Sequence, residues 1–386
     1  MPNPPHASHR RFLDASSPPL SDVARRTLLN ALDQGWADPR RLHAEGRRAR
    51  ALLDGAREAV AAVLEVGTDS VSFTGSGTTA RQLGLRGLLH GRRRAGRALV
   101  LSAVEHSALL HTGQWHESTG GTTALTPVDS LGRVRLGELA AQVRSEGVAA
   151  ACLQAANGEV GTRQPVAEAA AICADAAVPL LVDAGSVLGR DALPIGGDVL
   201  VADARSWAGP AGVGVLAVRS GVRWRADWPV DENELGRVPG EPDVPAALAA
   251  AAALQDAEQH RLQRAEVARD LVDRIRAAAA AVPDTEVVGD PVDRLPHVVT
   301  FSFLFVDGEA LVHELDRRGF AVASGSACTA STLEPSHVLA AMGVLTHGNL
   351  RLTLPLDPSA QDADAFCAEL PGAVADVRRM LGSDRL

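Results

Sequence analysis

Lysine is absent from this 386-residue chain: all 38 basic residues are arginine, and there is no tyrosine. Chemistry that needs a lysine amine is therefore excluded, and so are acylation and lysine-directed tagging of the surface. A bias toward GC-rich codons accounts for a shortage of lysine, but not for losing a lysine on which chemistry depends. Cysteine is scarce as well, four residues at 152, 173, 328 and 367, with no CxxC pair and no metal-type spacing. Cys152 and Cys173 lie in apolar or Ala-rich segments and read as small buried hydrophobes. The histidines are scattered, and no constellation argues for a metal. No apolar run reaches the ~20 residues needed to span a bilayer, the Ala-rich run 246–254 being too short, so no membrane partner is expected. The opening MPNPPHASHRR has no apolar h-region, which makes the cytoplasm the expected location. Net charge is −9 with acids and bases interspersed, and the RRRAGR run at 92–97 reads as a solvated helix end. No nucleic-acid partner is expected from such a pattern.

What is there is a globular core, since 46 % of residues are hydrophobic. Helical patterns at 23–33, 44–63 and 166–177 alternate with strand-like runs at 70–74, 97–102, 149–154, 179–183, 199–204 and 212–218. Such alternation predicts a mostly parallel sheet covered by helices on both faces. A single long helix is expected from 244 to about 281, followed by a turn through PDTEVVGDP. A second unit then has a strand at 297–305, a helix at 308–318, a Cys-bearing loop, a strand at 349–355 and a closing helix at 360–381. The expected organisation is a large domain over 20–255 and a smaller α+β domain over 256–386, with residues 1–19 folded back onto the latter.

Several segments carry a resemblance. The run SGSACTASTLEPSHVLAAMG at 324–343 resembles the catalytic-cysteine loop of cysteine desulfurases of the iron–sulfur-assembly type. FTGSGTTA at 73–80 is similar to that family's phosphate-cradling turn, and VEHSA at 104–108 to the element carrying its ring-stacking histidine. RRLHAEGRRAR, NGEVGTRQPV, VDAGSVLG, WAGPAGVG and LRLTLP follow in order, so the resemblance spans roughly residues 12 to 375. It implies an aspartate-aminotransferase-type α/β fold (fold type I) with a seven-stranded sheet, a homodimer, and pyridoxal phosphate as the family's cofactor.

Residue by residue, the resemblance places Cys328 as sulfur acceptor and Arg351 as the fork for a substrate carboxylate. Gly77 and Thr78 fall in the phosphate cradle, where a strand-to-helix turn offers N–H groups to an anion. His106 falls at the ring-stacking position. Asp183, closing the apolar strand VPLLVD, falls where a carboxylate pairs with the pyridine nitrogen.

Other positions depart from the family. Where the family has Ser-x-His-Lys, this chain reads Asp203, Ala204, Arg205, Ser206. Ser206 can neither form an imine nor shuttle a proton near neutral pH. Asp203 would set a carboxylate beside a phosphate, a repulsion of ~1 to 4 kcal/mol at ~4 Å. Arg205 can offset that repulsion, or pair with Asp203 and fill the space. Ser186 replaces a glutamine, and Gly158 (or Asn157, if the alignment slips by one) stands at an asparagine position. RVPGEPDV at 237–244 lacks the threonine that reaches a partner subunit's phosphate, and has Glu241 nearby. The expectation is a degenerate desulfurase-like protein that binds the cofactor non-covalently at best, or not at all. Cys328 would relay persulfide between a sulfur donor and an acceptor protein. The alternatives left open are a working enzyme with non-covalent cofactor and a structural or regulatory protein.

Overall fold

A computed structural model describes residues 10–324 and 335–382. Its main sheet contains β2 (Val71–Thr74), β3 (Ala98–Ser102), β4 (Thr122–Thr126), β5 (Val148–Gln154), β6 (Leu180–Asp183), β7 (Val199–Asp203) and β8 (Gly214–Val218), while β1 (Arg11–Phe12) lies elsewhere. The spatial order is β2-β8-β7-β6-β5-β3-β4, and only β8 runs against the rest. Strands such as VAAACLQ in β5 are buried along their whole length, as expected of a parallel sheet covered on both faces.

Alternate strand residues feed two cores. On one face, Leu99, Leu101, Leu181 and Val201 meet α3 (Gly77–Arg92) and α4 (Ser107–Ser118). On the other, Val100, Leu153, Val182 and Ala202 share a core with α1 (Asp22–Leu32), α2 (Ala44–Leu64), α5 (Leu136–Val143), α6 (Val166–Asp175) and α7 (Val244–Gln259). Ser21 and Asp243 cap α1 and α7 by accepting from Ala24 N and Ala246 N.

A second core is built from α8 (Arg261–Ala280), β9 (Thr285–Val288), β10 (Val298–Phe303), α9 (Gly308–Arg317), β11 (Phe320–Ala321), β12 (Asn349–Thr353) and α11 (Ala360–Met380). Strands β9, β10 and β12 form an antiparallel sheet, and Phe301, Phe303, Phe320 and Phe366 stack in its core. The N-terminal β1 (Arg11–Phe12) pairs in parallel with β11, which brings Leu13 into this core. The short α10 (His337–Met342) packs instead with Val104, Val128 and Val160 of the first unit.

Two expectations are corrected. The helix drawn from 244 to 281 is two helices broken at His260, whose φ of −104° and ψ of 3° leave the α region. The ring Nδ1 lies 2.9 Å from Asp256 O, and the break lets α7 serve the first core while α8 serves the second. The PDTEVVGDP stretch is not a plain turn either. Four of its residues form β9, short enough that only its pairing with β10 reveals it.

Candidate functional site

The carboxyl ends of β2, β6 and β7 converge on one place, the usual ligand crevice of an open α/β sheet. Asp183 ends β6 there and is buried, 4 % exposed. Both its oxygens are taken by one guanidinium: Arg81 Nε donates to Oδ2 at 2.5 Å and Nη2 to Oδ1 at 3.0 Å. Gly185 N donates a third bond, at 2.9 Å. Burial alone would raise the Asp183 pKa, but the Arg81 charge and these bonds hold it below the ordinary carboxylate value. Arg81 is 5 % exposed, and despite its desolvation the Asp183 partner keeps its pKa raised. Sequence reasoning missed Arg81. Its signal was position: four residues beyond Gly77, one helical turn along the same face.

The start of α3 is also occupied. Asp203, closing β7, lies so close to Gly77 that a Cβ on that glycine would sit 2.4 Å from the Asp203 Cβ and 2.5 Å from Oδ2. The chain's own carboxylate thus rests at a helix N-terminus, where the macrodipole favours an anion. Arg205 also pairs with Asp203, with Nη2 3.1 Å from Oδ2 and its backbone N 3.1 Å from Oδ1, the ion pair foreseen for vacated space. Arg205 also donates to Ser17 Oγ at 3.2 Å. Ser206 Oγ donates to the Gly185 carbonyl, so it too is held by the turn after Asp183. Thr78 is exposed at the first turn of α3.

His106 caps α4, with Nδ1 accepting from Ala108 N at 3.1 Å. Burial and then the nearby Arg81 charge push its pKa down to about 4, so the ring is neutral near pH 7. Beside it lies Glu105, fully buried, which sequence reasoning did not single out. It accepts from Gln154 N at 2.8 Å and from the Cys152 thiol, and burial followed by repulsion from Asp183 pushes it up to about 8. Asn157 is spent on its own turn, accepting from Glu159 N and Val160 N and donating to Val104 O. A Cβ on Gly158 would lie 2.7 Å from Ser186 Oγ, so Gly158 and Ser186 face each other. In the 237–244 stretch, Arg237 donates to the Asp69 and Ser70 carbonyls, while exposed Glu241 pairs with Arg40 at 3.4 Å.

Arg351 sits mid-β12, 5 % exposed, and its Nη2 reaches Ser16 Oγ at 3.3 Å. Ala323 exchanges both backbone bonds with it, so the chain leaves for the Cys328 segment right beside Arg351. Cys328 itself lies outside the described residues.

Pyridoxal phosphate presents a ring nitrogen cation, a phosphate and an aldehyde, and the residues here do not fit them. Asp183 is already closed by Arg81, a carboxylate rests at the α3 N-terminus, and no lysine exists in the chain to take the aldehyde. Among the described residues no group of three or more His, Cys, Asp or Glu side chains could hold a metal ion, and no helix is long and apolar enough to cross a membrane.

The model of the family described as aminotransferase class-V matches residues 13–366. Cysteine desulfurase IscS 1 of Archaeoglobus fulgidus is 31 % identical over 372 residues, covering 95 % of this chain and 97 % of that protein. A cysteine desulfurase of Cereibacter sphaeroides is 33 % identical over 371 residues, 94 % of each chain. Among solved structures, a NifS-like protein superposes with a TM-score of 0.88 at 25 % identity, covering 95 % of this chain and all of that one.

Proposed function

This chain belongs to the cysteine desulfurase family within the class-V aminotransferases, and from that premise we propose that it has left the lysine-dependent reaction and relays persulfide sulfur through Cys328. The observation that carries the reading is the Arg81–Asp183 clasp, which closes the carboxylate meant for a cofactor ring. Ser206 in place of the imine-forming amine, and Asp203 in place of a phosphate-binding hydroxyl, support the same reading.

The relay step needs no cofactor. The Cys328 thiolate attacks the terminal sulfur of a donor persulfide, R–S–SH. A bond forms from Cys328 Sγ to that sulfur as the donor's S–S bond breaks; the donor leaves as a thiolate, and the terminal proton travels with the transferred sulfur. Nothing is oxidised or reduced overall. An acceptor thiolate then repeats the exchange and regenerates Cys328. The donor and acceptor are thiol proteins, and the family resemblance makes a homodimer the expected form of the relay itself.

Two measurements test this. The protein is incubated with pyridoxal phosphate, desalted, examined by visible absorbance, and then mixed with cysteine. A colourless protein is expected; a band that survives desalting and shifts with cysteine would establish a non-covalent cofactor enzyme instead. Exposure to a persulfide donor should add the mass of one sulfur atom to the wild type and none to Cys328→Ala, with little change in stability. Equal labelling of both proteins refutes the relay.

A further inference from the structure

At the end of the main sheet opposite the crevice, where β3 begins, lies a hollow of about 380 Å³. Its walls are the last turns of α3 and α4, and it takes in Arg93 and Arg97 of the RRRAGR run. A fixed aromatic wall adjoins it. The segment 222–228 is strapped across α3: Trp224 Nε1 donates to Gly84 O at 3.1 Å, and Arg225 N donates to Gly87 O at 2.9 Å. Gly87 is needed there, because a Cβ on it would lie 2.0 Å from the Trp224 ring. The strap sets Asp227 and Trp228 beside Arg86. Asp227 Oδ1 is 2.9 Å from Arg86 Nη2, and the guanidinium stacks on two indoles, 4.6 Å from the Trp115 ring centre and 5.0 Å from that of Trp228. Trp115 is thus held in place, yet it stays 42 % exposed.

Arg93 and Arg97 carry the charge of the hollow. Among the described residues neither has a carboxylate within 4.0 Å, although the chain holds 47 acidic residues against 38 basic ones. Arg93 Nη1 donates to the His90 carbonyl at 2.9 Å and Arg97 Nη2 to the Thr119 carbonyl, which leaves most of the five N–H groups of each guanidinium unused. Asp227 is spent on Arg86, so those two charges cancel. The C-terminal ends of α3 and α4 each bring roughly half a negative charge against the two full positive ones. The balance is about one positive charge beside an open indole, the complement of a flat ring that carries an anion of low charge. An indole face stacks nucleobases, and guanidinium forks match phosphate oxygens. We propose that this hollow binds a nucleoside monophosphate, its base on Trp115 and its phosphate on Arg93 and Arg97. Ligand pockets run from roughly 300 to 1,000 Å³, so about 380 Å³ holds one nucleotide and not a strand. The site lies at the far end of the sheet from Asp183 and does not rest on the sulfur-relay reading.

The test is calorimetric titration of the full-length protein with AMP, and with adenosine, ribose 5-phosphate and inorganic phosphate as its parts. AMP is expected to saturate, and each part to bind about tenfold or more weakly. ATP brings further negative charge but meets no further guanidinium in the hollow, so it should bind no more tightly than AMP. Arg93→Ala combined with Arg97→Ala, both exposed positions, should weaken AMP about tenfold to a hundredfold and leave adenosine unchanged. Trp115→Leu should weaken AMP about fivefold to a hundredfold and leave inorganic phosphate unchanged. Three results on the unaltered protein overturn the proposal without relying on any variant. They are the lack of saturable AMP binding, adenosine binding as tightly as AMP, and inorganic phosphate binding as tightly as AMP, which would mark an anion site only. ATP binding more tightly than AMP overturns the choice of a monophosphate.

Discussion

Asp183→Asn is the sharpest probe of how this pocket is held. The substitution keeps the shape of the side chain and removes the charge that faces Arg81, leaving a guanidinium that is 5 % exposed without the carboxylate it is bonded to. Breaking a buried pair from one side costs about 3 to 5 kcal/mol, with an asparagine that still accepts one bond at the lower end. At about 2.1 cal/mol/K per residue, a 386-residue chain unfolds with an entropy of ~0.8 kcal/mol/K. The apparent Tm should therefore fall by roughly 4 to 6 °C. Raising the pH does not rescue the variant, because arginine stays protonated. A double change to leucine, Arg81→Leu with Asp183→Leu, removes both charges and should recover most of what either single change loses. Urea midpoints and melting temperatures of the four proteins close the cycle. A Tm for Asp183→Asn within about 1 °C of wild type, or a double variant no more stable than the worse single, would show that the clasp does not hold the site.

Three further outcomes follow from the same geometry. Glu105 is raised to about 8 in the fold against about 4.3 when unfolded, so its contribution to stability is full below ~4.3 and is lost as pH rises through about 8. Glu105→Gln, which mimics the neutral form, should flatten the pH dependence of the urea midpoint in that window, and unchanged slopes would refute the assignment. Gly77→Ala drives a methyl into Asp203 and should cost about 1 to 3 kcal/mol, with Asp203→Ala restoring part of it; no recovery in the double variant means the two positions are not in contact. Ser206→Lys alone should leave the protein colourless with pyridoxal phosphate, because Arg81 and Asp203 still hold their places. A visible band that borohydride reduction fixes to residue 206 would show that the amine was the sole deficiency.

The alternation of buried strands and amphipathic helices made the main sheet legible, and β7 and the closing helix α11 begin at the residues their patterns indicate. Local signals failed where tertiary demands decide. Nothing in the Ala-rich run before His260 announces that α7 and α8 must serve different cores. In the pocket, Asp203, Arg205 and Ser206 were legible as substitutions, and the Asp203–Arg205 pair followed from charge alone. Arg81 was not, because an arginine in an amphipathic helix usually faces water, and only the end of β6 beneath it turns it inward. Glu105 escaped for the same reason: its neighbour His106 carried the motif, while burial, which no local pattern reports, gives the carboxylate its character.

The charges of the pocket also bear on what the crevice can accept. Asp183 with Arg81, and Asp203 with Arg205, are each a complete pair of opposite charges within hydrogen-bonding distance, so the crevice at the sheet end is neutral and satisfied by its own residues. A ligand there would have to break one of these pairs before gaining anything. The Glu159–Arg351 seam is less closed: Glu159 Oε1 and Arg351 Nε have no hydrogen-bond partner, while Ser336 bonds Glu159 and Ser16 and Asp14 lie within 3.3 and 3.7 Å of the Arg351 guanidinium. The two half-sites are tied together by the N-terminal strap, where Ser17 bonds Arg205 and Ser16 bonds Arg351. Where a cofactor of the family would bring its own charges, the sheet end of this chain already balances a carboxylate against a guanidinium twice over, so an added charged group there gains little unless one of those pairs opens.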